Sequence, residues 1–330
     1  MKKIILGLGI IGIIFTGCSD DKKPEASSNK NVVLKLGHVN GDKTNYHYGM
    51  LKYAEEVDRL TDGKVKVEVY ANAQLGNERD MVEGLQLGTI DIAAVASPVL
   101  ASFVPEMSVL DAPFMFKSYE HANNVIDGKV GEVLSEKLKK QEFNTVAWMY
   151  SGFRNVFSTK PLTDIDSFKG LKIRTMENKM HIKTFEALGA LATPMPYGEV
   201  FTGLQQGTID AAENATDNVL TQKFYEVTKN VGETGHFFTY IALGVSDKAL
   251  AKIPTELVPK LYEAGTTSAL YQRNLLIESN KKAKEELQKL GVIFTEPNKE
   301  ELVLKVKSIY QEFKDVIPEE LVAEIKKLEK

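Results

Sequence analysis

The sequence predicts an α/β fold of two similar lobes, with a central cleft between them and one long helix laid across both. A repeated phrase is the first reason. Gly84-Leu85-Gln86-Leu87-Gly88-Thr89-Ile90-Asp91 returns, with one change, as Gly203-Leu204-Gln205-Gln206-Gly207-Thr208-Ile209-Asp210. Each copy ends a helical stretch, turns on a glycine and enters a short apolar run. Strand-like and helical patterns alternate ahead of both copies, as in a largely parallel sheet covered by helices. The third reason is a helical pattern from Thr255 to about Leu290 with only Gly265 inside it. At 1.5 Å per residue its ~36 residues reach roughly 54 Å, more than one lobe spans. Two lobes side by side leave a cleft, where small ligands are held.

The N-terminus stands apart from this pattern. Lys2 and Lys3 precede an apolar run from Ile4 to Phe15, followed by Thr16-Gly17-Cys18. A short positive segment and an apolar stretch too short to span a bilayer describe a secretory signal over residues 1–17. The cysteine in that place resembles a lipobox, in which Cys18 is lipidated and becomes the first mature residue; Phe15 departs from the usual leucine. Residues 18–30, rich in Asp, Lys, Ser and Asn, read as a tether holding the protein at a membrane surface by its lipid anchor. Gly7-Leu8-Gly9-Ile10-Ile11-Gly12 has the spacing of a dinucleotide fingerprint, but it lies inside the signal with no strand before it.

The mature chain then reads as follows. Val32 to Val39 is a strand, Asn45 to Leu60 a helix stopped by Thr61-Asp62-Gly63, and Lys64 to Tyr70 a half-buried strand alternating valine with charge. Asn77 caps a helix from Glu78 to Leu87, and a buried strand follows from Ile90 to Val95. A helix covers Tyr119 to Gln141 and a strand Thr145 to Tyr150. The second lobe repeats the grammar with a strand at Leu171–Thr175, a helix at Lys179–Leu188, a rigid loop at Pro194-Met195-Pro196-Tyr197, a helix at Glu199–Gln206 and a strand at Ile209–Glu213. Helices near 299–313 and 319–329 close the chain. A chain that leaves one lobe and returns makes neither lobe contiguous, so 31–151 plus 240–279 are expected in lobe I and 152–239 plus 280–330 in lobe II.

Composition narrows the function. Among 330 residues, 43% are hydrophobic and 26% charged, with a formal charge of −4, which gives no basic footprint for nucleic acid. Cys18 is the only cysteine, so the mature domain has no disulfide and relies on its core. No Gly-x-Ser-x-Gly elbow, His-Glu-x-x-His helix or Walker loop occurs, and the five histidines share no ligand spacing. His121 reads as a surface residue and His236 as a satisfied interior group.

What remains are polar residues at expected strand ends, where open α/β sheets bind ligands. Arg174 lies near the end of the second lobe's first strand. Arg154 follows the Thr145–Tyr150 strand, at Ser151-Gly152-Phe153-Arg154. Asn214 follows the second repeated phrase. Three such groups can converge on one anion, and the planar fork of arginine suits a carboxylate. Pairing of either arginine with a nearby acid, such as Asp164 or Glu213, is an equally open reading.

Gly152-Phe153-Arg154, Asp166-Ser167-Phe168-Lys169-Gly170-Leu171-Lys172-Ile173-Arg174, Thr193-Pro194-Met195, Gly198-Glu199-Val200-Phe201 and Glu213-Asn214 resemble the solute-binding proteins of TRAP (tripartite ATP-independent periplasmic) transporters. The likeness runs from about Val32 past Tyr240. It implies the two-lobed periplasmic-binding-protein fold, a receptor and not an enzyme, no cofactor, capture by lobe closure, and delivery of a small organic acid to one small and one large membrane subunit. The resemblance gives Arg174 the two-pronged salt bridge to the ligand carboxylate, Arg154 and Asn214 assisting roles, and Tyr197 a place in the pocket wall. The sialate-binding branch carries a glutamate where this chain has Ala96. Arg174-Thr175-Met176-Glu177-Asn178 is closer to members that take sugar acids such as uronates or aldonates, with C4-dicarboxylates as the alternative. His38 and Glu78 are expected to meet a polyhydroxylated ligand. For Glu78, a first-turn glutamate favoured by the helix dipole is the other reading. The protein is expected to be a monomer at the periplasmic or cell-surface side of the membrane.

Overall fold

A computed structural model describes residues 31–329, so the signal segment, Cys18 and the tether lie outside the described residues. The first lobe is built from β1 (Val32–Gly37), α1 (Asn45–Leu60), β2 (Val65–Tyr70), α2 (Glu78–Leu87), β3 (Ile92–Ala96), the short α3 (Ser97–Leu100), α4 (Tyr119–Ile126) and α5 (Lys129–Lys139). β4 (Asn144–Ser158) leaves it. β5 (Lys172–Thr175), α6 (Lys179–Ala187), β6 (Leu191–Pro194), α7 (Val200–Gln205), β7 (Ala211–Asn214) and α8 (Thr216–Thr221) build the second lobe, and β8 (Asn230–Val245) returns. The chain closes with α9 (Asp247–Leu250), α10 (Val258–Lys289), β9 (Ile293–Thr295), α11 (Lys299–Glu312) and α12 (Glu319–Lys327).

All strands join one sheet in the order β2-β1-β3-β8-β4-β7-β5-β6, with β9 beside β8. Pairing is parallel within each lobe, whereas β8 and β4 run antiparallel to each other and through both lobes. The sequence suggested a strand ending at Tyr150; β4 instead continues to Ser158. Gly152 adopts φ +86°, and a register shift between Tyr150 and Gly152 bends the strand without ending it. An aromatic cluster packs the crossing, with Phe238 4.9 Å from the rings of both Tyr150 and Phe153.

The repeated phrase does the same work twice. Gly88 and Gly207 end α2 and α7 in the left-handed region, at φ +73° and +70°. The following threonine N–H donates to the carbonyl of Gly84 or Gly203, and the isoleucine packs over that same glycine. Each copy then places a carboxylate on the lobe's first strand. Asp91 accepts from the Lys35 N–H at 2.9 Å, and Asp210 from the Lys172 N–H at 3.2 Å. The repeat is therefore a helix stop joined to a strand anchor.

α10 has 32 residues, about 48 Å of helix, and lies across both lobes. Gly265 is required where it crosses β4, since a Cβ there would meet the Val146 carbonyl oxygen at 1.9 Å. Gln272 brackets the Tyr150 backbone, accepting from its N–H and donating to its carbonyl, both at 2.8 Å. Arg273 grips Asp127 through both terminal nitrogens. Farther along, Lys284 pairs with Glu233 of β8 in the second lobe.

Three expectations change. The single helix over 119–141 breaks into α4 and α5 at Asp127-Gly128, where Gly128 is extended and Gly131 packs so closely on the Ile126 carbonyl that no Cβ would fit. His121 is buried, not on the surface, with Nε2 2.8 Å from the Ile325 carbonyl oxygen. That contact, with α12 packed on α5, returns the end of the 280–330 segment to the first lobe.

Candidate ligand-binding site in the cleft

The pocket between the lobes is lined by Val39, Asn77, Glu78 and Val99 from the first lobe and by Arg174, Met176, Glu177, Met195, Pro196 and Tyr197 from the second. Its volume is about 10 Å³, room for a single water, so the lobes stand closed over it. A far larger groove of about 950 Å³ runs between α11 and α12, but it is open and lined mostly by solvated side chains. Volume alone therefore does not locate the chemistry here. The cleft pocket is the candidate because charged groups from both lobes converge on it.

Arg174 sits on β5, opposite Thr193 of β6, with 2% of its surface exposed. Its Nε donates to the Met195 carbonyl at 2.8 Å. Among the described residues, no acid pairs with it and its two terminal nitrogens have no hydrogen-bond partner. The Tyr197 ring lies 5.9 Å from its guanidinium carbon. Burial pushes its pKa down to about 10, with Arg154 adding to the effect and Glu213, Tyr197 and Glu78 opposing it. It remains charged at neutral pH and desolvated, with no acid in ion-pair contact among the described residues.

Arg154 is different. It lies within β4, not after it, and all five of its donors are taken. Glu213 receives Nε and Nη2 on its carboxylate and Nη2 again on its carbonyl; Nη1 donates to Ser151 Oγ at 3.1 Å and Asn214 Oδ1 at 3.3 Å. For this arginine the pairing with an acid is what the structure contains. Burial pushes the Glu213 carboxyl up, and the Arg154 charge and the His236 hydrogen bond more than reverse this, leaving it well below the usual carboxylate range. Arg154 and the Asn214 that it holds both stand outside the pocket lining.

Asn214, at the end of β7, accepts on Oδ1 from the Ala215 N–H at 2.8 Å as well as from Arg154. Its amide nitrogen has no partner among the described residues. Tyr197 lines the pocket and its hydroxyl reaches Asn218 Oδ1 at 3.4 Å. Glu78 is the first residue of α2, behind a capping box made by Asn77 and Asp80. One of its carboxylate oxygens accepts from the Ala96 N–H at 2.7 Å, so the side chain crosses to the end of β3 and faces the cleft. Burial raises its pKa, opposed by the Ala96 hydrogen bond and by Arg174.

His38 does not fulfil its expected role. Val39 lines the pocket in its place, and the buried His38 ring turns to His47, Nε2 to Nδ1 at 3.0 Å. Burial and then His47 push its pKa down to about 3, so it is neutral. Sequence reasoning also missed Glu177, whose position two residues beyond β5 was the available signal.

The sequence profile of the bacterial extracellular solute-binding proteins, family 7, matches residues 36–315. The chain belongs to this family. A solute-binding protein of Roseobacter denitrificans is 33% identical over 87% of this chain and 88% of its own length. Its crystal structure, with bound L-galactonate, superposes with a TM-score of 0.85 over 92% of this chain and all of that one. The sugar-acid-binding protein DctPAm of Advenella mimigardefordensis, in complex with galactonate, gives a TM-score of 0.88 at 29% identity, covering 91% and 98% of the two chains. A TRAP solute-binding protein of Sulfurospirillum deleyianum with bound succinate gives 0.85 at 30% identity over 90% and 98%. This solute-binding protein is therefore of the TRAP type, a receptor and not an enzyme, with the two-lobed fold of its relatives.

One buried carboxyl beside α1 and α10 makes the stability of this solute-binding protein sensitive to pH. Asp217, the second residue of α8, accepts from Asn45 Nδ2 of α1 and from Ser279 Oγ of α10, while its buried Oδ1 has no partner among the described residues. Burial pushes its carboxyl up to about 6, against those two hydrogen bonds. A raised acid pKa means the folded state holds the proton more tightly than the unfolded one, so stability falls as pH rises from about 4 to 6. The difference from the ordinary aspartate value of 3.8 corresponds to about 3 kcal/mol at neutral pH. Asp217→Asn is expected to remove this slope. Melting curves of both proteins across that range check it, and parallel curves would refute the assignment.

Proposed function

We propose that this chain is the extracytoplasmic receptor of a TRAP transporter for a sugar acid such as an aldonate or uronate, held by an Arg174–carboxylate salt bridge and delivered to the membrane subunits. The observation that carries the reading is the contrast between the two arginines. Arg154 is neutralised by Glu213, whereas Arg174 is equally buried and has no acid of its own. A desolvated cation at a cleft is an incomplete ion pair, and a carboxylate completes it with two parallel hydrogen bonds. Asn214 donates its spare amide hydrogens, Tyr197 forms a wall, and Glu78 accepts from ligand hydroxyls. In the open state the acid enters; closure of 31–151 with 240–279 on 152–239 with 280–330 excludes water and strengthens the pair. Lipidation at Cys18 would tether the receptor, as a monomer, beside its permease.

A C4-dicarboxylate is the second reading, favoured by the succinate held by the Sulfurospirillum relative. A thermal-shift screen of aldonates, uronates, C4-dicarboxylates and sialate decides between them, because a ligand that binds only the folded state raises its melting point. At about 100 times Kd the stabilisation is about 2.7 kcal/mol. A shift with sugar acids alone is expected. A shift with dicarboxylates alone would reverse the preference, and no shift with any acid would refute the receptor reading.

A further inference from the structure

The pocket's free charges do not balance. Arg154 and Glu213 cancel, leaving one cation, Arg174, against two carboxylates, Glu78 and Glu177. Glu78 uses a single oxygen, on the Ala96 N–H, and Glu177 has neither an ion pair nor a hydrogen bond among the described residues. Glu177 also lies on the partition between the pocket and an adjoining groove of about 560 Å³, lined by Ser102, Ser108, Asn178 and Met180 among others. A ligand larger than the closed pocket must extend past it. The groove's one basic residue, Lys179, lies outside the pocket lining.

We infer that Glu78 and Glu177 are the specificity-determining residues of this site, restricting it to acids that carry one negative charge and several hydroxyls and rejecting diacids of the same carbon skeleton. The inference rests on the receptor reading above and adds a charge rule to it. A single ligand carboxylate satisfies Arg174, and the rest of the molecule then meets two acceptor-only groups, which hydroxyl donors match. A second carboxylate has no cation left to meet. It adds a third anion at short range in a site closed to water, where like charges repel most strongly. Discrimination then comes from repulsion of the wrong ligand as much as from attraction of the right one.

The test compares acids that differ only in the oxidation of the terminal carbon. Calorimetry would measure affinity for galactonate against galactarate and for gluconate against glucarate, with the wild type and with Glu78→Gln and Glu177→Gln. Glu78→Gln keeps an oxygen for the Ala96 N–H, so that hydrogen bond is retained. The expected result is an aldonate bound at least about 100-fold more tightly than its aldarate, with the ratio narrowing about tenfold or more in at least one variant. An aldarate within about threefold of its aldonate overturns the inference while leaving the receptor reading intact. An unchanged ratio in both variants overturns the assignment to these two carboxylates. Failure of every acid, sugar acid or dicarboxylate, to bind overturns the receptor reading and this inference with it.

Discussion

Arg174→Ala is expected to weaken binding of the acid by about two to three and a half orders of magnitude, with no loss of stability in the ligand-free protein. Removing one partner of a buried, hydrogen-bonded ion pair costs about 3–5 kcal/mol, which converts to that range of affinity. The second half of the expectation separates a lost contact from a damaged fold. Arg174 is buried with its charge uncompensated, so its removal takes a desolvation cost out of the free protein. The melting temperature without ligand should stay level or rise, while the ligand-induced shift disappears. Arg174→Lys keeps the charge but not the planar fork, and about 10- to 100-fold weaker binding is expected. Calorimetry on the two variants settles the matter: affinity unchanged in either would remove Arg174 from the centre of the site.

Glu213→Ala should have the largest effect on stability. It strands Arg154, which is 2% exposed, without its counter-ion, and leaves both of the arginine's hydrogen bonds to that side chain unmade. The expected cost is about 3–5 kcal/mol. With an unfolding entropy near 2.1 cal/mol/K per residue over about 300 residues, the melting temperature falls by roughly 5–8 °C. The pH dependence gives an independent readout. The folded-state pKa of Glu213 lies below its ordinary value of 4.5, so its contribution is present above that value and is lost as pH falls below it. The variant should therefore melt with a shallower acid dependence below about pH 4.5. A variant as stable as the wild type at neutral pH would mean that Arg154 finds another partner.

Local signals named most of the elements correctly because their causes are local. Asn45–Leu60 and Glu78–Leu87 form as read, since Thr44 and Asn77 cap them and apolar residues recur at helical spacing. The repeated phrase announced two related lobes because a glycine stop and an anchoring aspartate are set within eight residues. The helix broken at Asp127-Gly128 could not be anticipated in the same way. Its cause is the packing of Gly131 on a carbonyl and the grip of Arg273 on Asp127, from 146 positions away.

By itself the sequence determined that this protein is two α/β lobes under a long helix, with Arg174 and Asn214 near the ends of their strands. Only the tertiary structure decided which arginine is free. Arg154 and Arg174 look alike in sequence, and Glu213 is near enough in the chain order to serve either. The antiparallel pairing of β4 with β7 brings Glu213 to Arg154, by registering Val156 with Glu213, and leaves Arg174 with a single backbone carbonyl. His38 was likewise decided at a distance, by a helix that placed His47 against its ring. Residue type sets what a group can bind; the partner it meets through space decides whether that capacity is already spent.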